Sequence, residues 1–304
     1  MITQSGSFRL FRLAGIEVFL HWSWFIVAVV EINNRRDSYS SLGWNAAEYV
    51  ALFIIVLLHE FGHALACRQV GGQANRIILW PLGGVAFVAP PQRPGATLWA
   101  IAAGPLVNLV LIPAALLFAA GGQSLGWADT FPDAQHFLWA MVYINIGLLV
   151  FNLLPIYPLD GGQILRCLLW FALGRTRSLK VATMIGFAGA TVLMVCAFLM
   201  NSVWAGVLAV FMLLACWRSW KQAAALSQME ATPRHAGFAC PACTTAPPVG
   251  AFWRCPQCQT QFDTFATGAA CPKCQARFAT TACAHCGASR PMTEWIQPLP
   301  APPG

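Results

Sequence analysis

The sequence has 304 residues, of which 58% are hydrophobic and only 10% are charged. A mean hydropathy of +0.60 excludes a soluble globular protein and indicates an integral membrane protein. The formal net charge is +7, but Lys and Arg flank the apolar segments rather than forming one patch. This distribution predicts membrane topology and argues against nucleic acid as a partner.

The first apolar segment, residues 15–31, is predicted to be a membrane-spanning helix. It follows Arg9 and Arg12, as the hydrophobic part of a signal peptide would, but no small-residue cleavage site comes after it. We therefore expect the segment to be retained as the first of several spans.

The second apolar segment, residues 46–70, contains the sequence HEFGH near its C-terminal end. On a helix His59 and His63 share one face, so both can hold one metal ion while Glu60 lies beside it. The alternative is a polar cluster that is satisfied within a helix bundle. We favour a metal site, because each ionisable residue in hydrocarbon costs roughly 2.5 kcal/mol or more unless it is partnered. The pattern is typical of zinc hydrolases.

Two features follow this motif. Residues 76–90 are too short to cross the membrane as a helix and carry β-type residues on both sides of Gly83 and Gly84, which predicts a short hairpin that dips toward the bilayer. Residues 96–120 form a third span, with Asn108 inside the membrane. The connection after it carries two aspartates and no Lys or Arg, so we expect it outside the cytoplasm.

The fourth apolar run begins near residue 137 and breaks at NLLPIYPLDGG, where Pro155 and Pro158 interrupt the helix. Irregular backbone at membrane depth must be satisfied by protein or a water-filled cavity, so we place the break in the interior near a polar site. The helix resumes to about residue 173, and residues 181–199 and 203–217 complete the spans. The predicted fold is an α-helical integral membrane protein with about six transmembrane helices and a short membrane-associated β-hairpin.

Six spans place both chain termini on one side of the membrane, and the charges predict that this side is the cytoplasm. Only Arg35 and Arg36 then lie outside. The basic residues predicted to lie inside are Arg9, Arg12, Arg68, Arg76, Arg93, Arg166, Arg175, Arg177, Lys180, Arg218 and Lys221. The HEFGH end of the second span and the whole C-terminal part are therefore predicted to be cytoplasmic.

A catalytic zinc ion usually has three protein ligands and an open fourth position. Asp160 is the candidate for the third ligand, because it is the only other acidic residue within the fourth apolar region. The prolines before it loosen the helix, and two glycines follow it, so the carboxylate can turn inward. Alternatively, Asp160 caps the helix that begins there, and the two roles are compatible.

The motifs HEFGH, PLGGVA, GPLVN and NLLPIYPLDGG follow one another in this order over residues 1–226. In order and spacing they resemble the site-2 protease family of intramembrane zinc metalloproteases. The resemblance implies a catalytic zinc ion held by His59, His63 and Asp160, with Glu60 as the general base and a catalytic core of three helices. It also implies that the substrate is a transmembrane segment, cut within or near the bilayer.

The same resemblance suggests that Asn152 holds the substrate or the developing oxyanion and that Asn108 belongs to the polar core. Interhelical hydrogen bonds are the alternative for both amides. A helical substrate must unwind before its peptide bonds are accessible, and the hairpin around Gly83 and Gly84 offers an edge on which an unwound segment can pair by strand addition. The same Pro and Gly residues would equally protect that edge from aggregation.

The composition changes after Met229, where four CxxC pairs replace the apolar runs. Eight thiolates make two tetrahedral sites, so we predict two structural zinc ions in addition to the catalytic one. Sequential pairing assigns the first zinc ion to Cys240, Cys243, Cys255 and Cys258, and the second to Cys271, Cys274, Cys283 and Cys286. An interleaved arrangement stays open, and the predicted cytoplasmic location disfavours disulfides.

The cysteine module resembles a double zinc ribbon, a group of folds that bind proteins or nucleic acids or serve as plain structural units. We expect a membrane metalloprotease domain over residues 1–228, zinc ribbons over 229–292 that need metal to fold, and a Pro-rich disordered tail over 293–304. The expected partners are a transmembrane protein substrate, the lipid bilayer and a cytoplasmic protein that contacts the ribbons.

Two other functions compete with intramembrane proteolysis. In the first, the membrane part is an inactive scaffold and the ribbons carry out recognition, but a scaffold has no need for Glu60. In the second, the protein transports metal ions. A transport pathway needs polar residues on several spans, and the fifth and sixth predicted spans offer almost none. The sequence therefore favours a zinc endopeptidase.

Overall fold

The structure is a computed structural model that describes residues 6–80 and 83–296. The chain divides into a membrane unit that ends at Trp220 and a ribbon unit that begins at Lys221. The sequence predicts this boundary between residues 228 and 229. Both positions lie inside one helix, Val203–Ala231, so the limit between the two domains stays a prediction.

Five helices in the described part of the chain are long and apolar enough to cross a membrane. They are α2 (Leu42–Gln69), α3 (Pro94–Ser124), α5 (Pro132–Leu153), α6 (Asp160–Leu199) and α7 (Val203–Ala231). Two shorter helices are α1 (Ser23–Asn34) and α4 (Trp127–Thr130). The protein is therefore an integral membrane protein with several membrane-spanning helices.

Helix α6 joins two segments that the sequence assigns to the fourth and fifth spans. The non-helical residue inside it is Gly174, whose φ of 77° lies in the left-handed region that a residue without Cβ adopts readily. The kink separates residues 160–173 from residues 175–199. The first part corresponds to the helix predicted to resume after the break and to end near residue 173, and the second part contains the span predicted over residues 181–199. One helix therefore contains parts of two predicted spans.

The first apolar segment is not one helix, and the prediction of a helical span over residues 15–31 is wrong. A strand, Ile16–His21, occupies its first part and α1 follows. Buried side chains alternate with the more exposed Glu17 and Phe19, which is the period of a half-buried strand.

The membrane unit also contains a four-stranded sheet in the order β1-β2-β3-β4. The strands are β1 (Ser7–Leu13), β2 (Ile16–His21), β3 (Gln73–Trp80) and β4 (Gly83–Ala89). The two outer pairs are antiparallel, whereas β2 and β3 run parallel. The predicted hairpin is confirmed as β3 and β4, but it forms only half of the sheet.

Helix α2 lies between this sheet and α3. The buried face of the sheet, which includes Val18 and Ile77, packs against Phe61 of α2 in one apolar cluster. On the α3 side, a Cβ atom at Gly62 would lie 2.7 Å from the Ala103 carbonyl oxygen, so only glycine permits this close approach. These contacts fix the position of the helix that carries HEFGH.

The ribbon unit contains two short antiparallel hairpins around an aromatic core. The pairs are β5 (Trp253–Arg254) with β6 (Gln261–Phe262), and β7 (Thr281–Ala282) with β8 (Ser289–Arg290). The Phe265 ring packs on Trp295, which is fully buried within a short 3-10 helix, Met292–Trp295. The predicted disordered tail therefore begins too early at residue 293, and residues 297–304 lie outside the described part of the chain.

Candidate metal centre

Helix α2 carries His59, Glu60 and His63 as buried polar residues, each about one-twentieth exposed. The Nε2 atoms of His59 and His63 lie 3.1 Å apart, as expected for residues four apart on one helical face. The two ring planes are nearly perpendicular. Both rings therefore direct one nitrogen to the same point without stacking on each other.

Asp160 reaches this point from the start of α6. Its Oδ2 atom lies 3.1 Å from His59 Nε2 and 3.4 Å from His63 Nε2, and its side chain is 12% exposed. Leu159 occupies the N-cap of α6, and no side-chain capping bond is formed there. The capping alternative for Asp160 is therefore not supported, and its carboxylate faces the two histidines.

The Nε2 atoms of His59 and His63 and the Oδ2 atom of Asp160 are spaced to bind a single metal ion. The Nδ1 atom of His63 donates to the Ala100 carbonyl oxygen at 2.9 Å, so its Nε2 atom carries a lone pair. Three electron-pair donors that face one another repel unless a cation lies between them. Zinc ligands lie about 2.0–2.2 Å from the ion, which places neighbouring ligand atoms of a tetrahedron about 3.4 Å apart. The observed separations match this spacing.

Two buried asparagines extend the hydrogen bonding of His59 away from Asp160. The His59 Nδ1 atom donates to Asn108 Oδ1 at 2.6 Å, and Asn108 Nδ2 donates to Asn145 Oδ1 at 3.1 Å. Asn108 is therefore a direct hydrogen-bond partner of His59, a candidate metal ligand, as well as a member of the polar core. The sequence interpretation missed Asn145, although an amide in the apolar run of α5 is the kind of signal that drew attention to Asn108.

Glu60 points to strand β4. Its Oε2 atom accepts a hydrogen bond from the Ala86 backbone N–H at 2.8 Å. A Cβ atom at Gly84 would lie 2.5 Å from Glu60 Oε1, so glycine leaves the room that this carboxylate occupies. The prediction that Gly84 supports the site now has a physical basis in this close approach.

The other two residues predicted to bind substrate are Gly83 and Asn152. Gly83 begins β4 and pairs with Trp80 in the sheet. Asn152 is half-buried near the end of α5 and forms no side-chain hydrogen bond with any residue that the structure describes. Their roles in substrate binding stay predictions.

Three further glycines, which the sequence interpretation did not assign to the site, allow its parts to approach. A Cβ atom at Gly104 of α3 would lie 2.8 Å from His59 Nε2 and closer still to His63 Nε2. Gly161 and Gly162 lie tightly against the backbone of the break before α6, where a Cβ atom would overlap residues 153–157. Because Gly161 and Gly162 have no Cβ atom, the start of α6 can lie close to this backbone and beside the two histidines.

Comparison with known proteins agrees with this geometry. The profile of peptidase family M50 matches residues 47–133 and 127–196, a region that contains the two histidines, Glu60 and Asp160. The chain belongs to peptidase family M50. Its M50 region thus coincides with helices α2, α3, α5 and most of α6.

Individual relatives and one solved structure support the assignment. A zinc metalloprotease of Methanocaldococcus jannaschii is 34% identical over 180 residues, which cover 59% of this chain and 50% of that protein. A putative zinc metalloprotease of Mycobacterium tuberculosis is 30% identical over 52% of this chain and 42% of its own length. The site-2 protease structure from M. jannaschii matches with a TM-score of 0.52 at 27% identity, over 70% of this chain and 94% of that one. The chain spans about half the length of the curated relatives it matches, or less.

The eight ribbon cysteines, which lie beyond the M50 region, form two groups whose order is nested rather than sequential. The outer group is Cys240, Cys243, Cys283 and Cys286, and the inner group is Cys255, Cys258, Cys271 and Cys274. The predicted sequential pairing is therefore wrong. The reason is topological, because the two middle CxxC turns face each other and the first and last turns close around them.

Both groups have the dimensions of a four-sulfur metal site. In the outer group Cys240 and Cys286 Sγ lie 3.7 Å apart, and in the inner group Cys255 and Cys274 Sγ lie 3.5 Å apart. Sulfurs about 2.3 Å from one zinc ion would be about 3.8 Å apart, whereas a disulfide bond measures about 2.05 Å. Contacts with the side chain and backbone of Thr260 lower the pKa of Cys258 to about 6, whereas the pKa of Cys274 in the same group is raised to about 12.

Proposed function

We propose that this M50 protein is an intramembrane zinc endopeptidase that hydrolyses a peptide bond in or near a transmembrane segment of another membrane protein. The observation that carries the proposal is the convergence of His59 Nε2, His63 Nε2 and Asp160 Oδ2 between apolar helices, with Glu60 beside them. Relatives named zinc metalloproteases and a site-2 protease of similar fold support it.

Zinc, when bound by these three residues, would polarise the scissile carbonyl and lower the pKa of a water molecule toward neutrality. Glu60 is the general base. Because its Oε2 atom is held by the Ala86 N–H, Oε1 is the oxygen free to accept the proton of the attacking water. The same oxygen then returns the proton to the departing amine, so one water is consumed and an acid and an amine are produced.

The substrate would reach this site in an extended form along β4. This strand is at the edge of the sheet, and its Ala86 N–H already faces Glu60. An unwound segment that pairs with β4 would therefore lie next to the general base. Gly83 and Asn152 are the candidates for further substrate contacts at the strand and at the end of α5.

The ribbon unit would hold two structural zinc ions, which makes three zinc ions in the protein. The predicted excess of basic residues on one side places both termini and the ribbons in the cytoplasm. There the ribbons would contact a cytoplasmic protein or a soluble part of the substrate. A zinc module in the same chain as the protease is suited to recruiting a partner, since its loops would lie on a rigid metal-bound frame.

The test uses the full-length protein in detergent with zinc and a membrane-protein substrate that contains one helical span. We expect cleavage by the wild type and none by Glu60→Gln, because the amide cannot accept the water proton. Zinc content must be equal in both proteins, since Glu60 is not a ligand. Cleavage that persists in Glu60→Gln would refute the mechanism, and zinc uptake into vesicles without cleavage would favour a transporter.

A further inference from the structure

We infer that Asn145 is a positioning residue that orients His59 for metal binding through the amide of Asn108. The inference rests on the proposed zinc site and deepens it. The three side chains form one line, from Asn145 on α5 through Asn108 on α3 to His59 on α2. Asn145 touches neither the metal ligands nor the reacting atoms, so any effect must pass through Asn108.

The direction of every hydrogen bond in this line follows from one fixed acceptor. Asn145 Nδ2 donates to the Met141 carbonyl oxygen at 2.9 Å, and a carbonyl can only accept. The Asn145 Oδ1 atom must therefore face Asn108 and accept from its Nδ2 atom. This leaves Asn108 Oδ1 to face His59, whose Nδ1 atom must then carry the proton. The remaining His59 Nε2 lone pair points at the metal position.

Burial makes this direction difficult to reverse. Asn108 is fully buried and Asn145 is 2% exposed, so neither amide can exchange its partner for bulk water. A reversed Asn108 would direct its NH2 group at His59 Nδ1 and its oxygen at Asn145 Oδ1, which places two acceptors against each other. An unmade hydrogen bond at a buried polar group costs about 1–3 kcal/mol, so the observed direction is strongly preferred.

Without the Asn145 side chain this preference disappears. Asn108 could then turn its NH2 group toward His59, which would stabilise the tautomer that carries the proton on Nε2. That tautomer cannot bind a metal ion through Nε2. Loss of an outer partner of a metal-binding histidine typically weakens metal affinity by about 10- to 100-fold, and we expect Asn145→Leu to fall in this range.

The decisive measurement is zinc affinity of the full-length protein, obtained by equilibration with chelators of graded strength and counting of bound zinc. His63→Ala identifies which zinc equivalent belongs to this site. Gln135→Leu is the matched control, because it removes another buried amide of α5, whose Nε2 atom donates to the Ala119 carbonyl oxygen. The zinc ion of this site is the one that His63→Ala lacks. We expect Asn145→Leu to lose this zinc ion to chelators about 10- to 100-fold weaker than those needed to remove it from the wild type. Gln135→Leu should match the wild type.

A second substitution separates orientation from general packing. Asn108→Asp places a carboxylate against His59 Nδ1, and a carboxylate accepts in either orientation. The second carboxylate oxygen would then face Asn145 Oδ1, which is also an acceptor, and Asn145→Leu removes this repulsion. In the Asn108→Asp background, Asn145→Leu should therefore not weaken zinc affinity. If Asn145→Leu weakens zinc equally in both backgrounds, or not at all in the wild-type background, the inference is wrong. Should Asn145→Leu not fold, Asn145→Ala takes its place with the same expectations.

These outcomes are independent of proteolysis. A normal zinc affinity in Asn145→Leu would contradict the positioning role while leaving the endopeptidase proposal intact. Conversely, a wild-type protein that binds zinc but cleaves no substrate would contradict the endopeptidase proposal, and the effect of Asn145 on zinc affinity would still be measurable.

Discussion

Replacing Gly104 by alanine tests the metal centre through a residue that is neither a ligand nor a base. Gly104 lies on α3, and the His63 ring packs directly over it. In a helix interior, alanine is normally better than glycine by about 1 kcal/mol. Here the added methyl group would lie 2.8 Å from His59 Nε2 and closer to His63 Nε2, so both ligand atoms must move.

His63 has little freedom to move away. Its Nδ1 atom donates to the Ala100 carbonyl oxygen, one turn before Gly104 on the same helix, so α3 holds the ring at one end and would push it at the other. Metal–ligand distances tolerate about 0.2 Å, which is less than the displacement that the methyl group requires. We expect Gly104→Ala to weaken zinc binding by at least about 100-fold, or about 2.7 kcal/mol.

Gly121→Ala is the matched control, because Gly121 lies on the same helix and a Cβ atom there meets nothing within 4 Å. This variant should keep zinc affinity and gain helix stability of about 1 kcal/mol. Zinc retention against a chelator, thermal unfolding and substrate cleavage are measured for both variants. If Gly104→Ala retains zinc as firmly as Gly121→Ala, the arrangement of the histidines over α3 is wrong.

Three further predictions address the base, the ribbons and the C-terminal boundary. Gly84→Ala should displace Glu60 and lower kcat by about 100-fold or more while zinc content stays unchanged; an unchanged kcat would contradict the contact with Oε1. In the ribbon unit, Cys255→Ser removes a ligand of the inner group and should release both structural zinc ions, because the outer group would then have to close around a long unfolded segment. Cys240→Ser removes a ligand of the outer group and should release only one zinc ion. The number of bound zinc ions per protein is counted for both variants. If the two sites were independent, each substitution would release one zinc ion. Truncation before Trp295 should destabilise the ribbon unit by about 3–5 kcal/mol in denaturant unfolding, whereas truncation after residue 296 should have no effect.

The sequence was sufficient for the parts of the centre that depend on local geometry. His59 and His63 share a face because a helix repeats every 3.6 residues, and the apolar surroundings made their polarity conspicuous. Asp160 was found by elimination within its apolar region. Asn145 was missed because its partner, Asn108, comes from another helix, and the pairing of two helices is not encoded in the spacing of either one.

The errors have physical causes of the same kind. Residues 15–31 are largely apolar, and the strand within them shows only a weak alternation through Glu17 and Phe19, so length and hydropathy indicated a helix. β2 is stabilised by its parallel partner β3, which lies far away in the chain. The cysteine turns likewise contain no information on which turn faces which, because that depends on how the intervening hairpins fold.

The parallel pairing of β2 and β3 has a consequence for biosynthesis. Glu17 and Arg76 are direct partners, but the whole of α1 and α2 separates them in the chain. The β1–β2 hairpin is therefore made before its neighbour exists, and its open edge must wait until two helices have been synthesised and inserted. Asp160 emerges later still, so every strand of the sheet that supports Glu60 has been synthesised before the third candidate ligand exists. The order of synthesis thus keeps the candidate metal centre incomplete until the elements around it have been made.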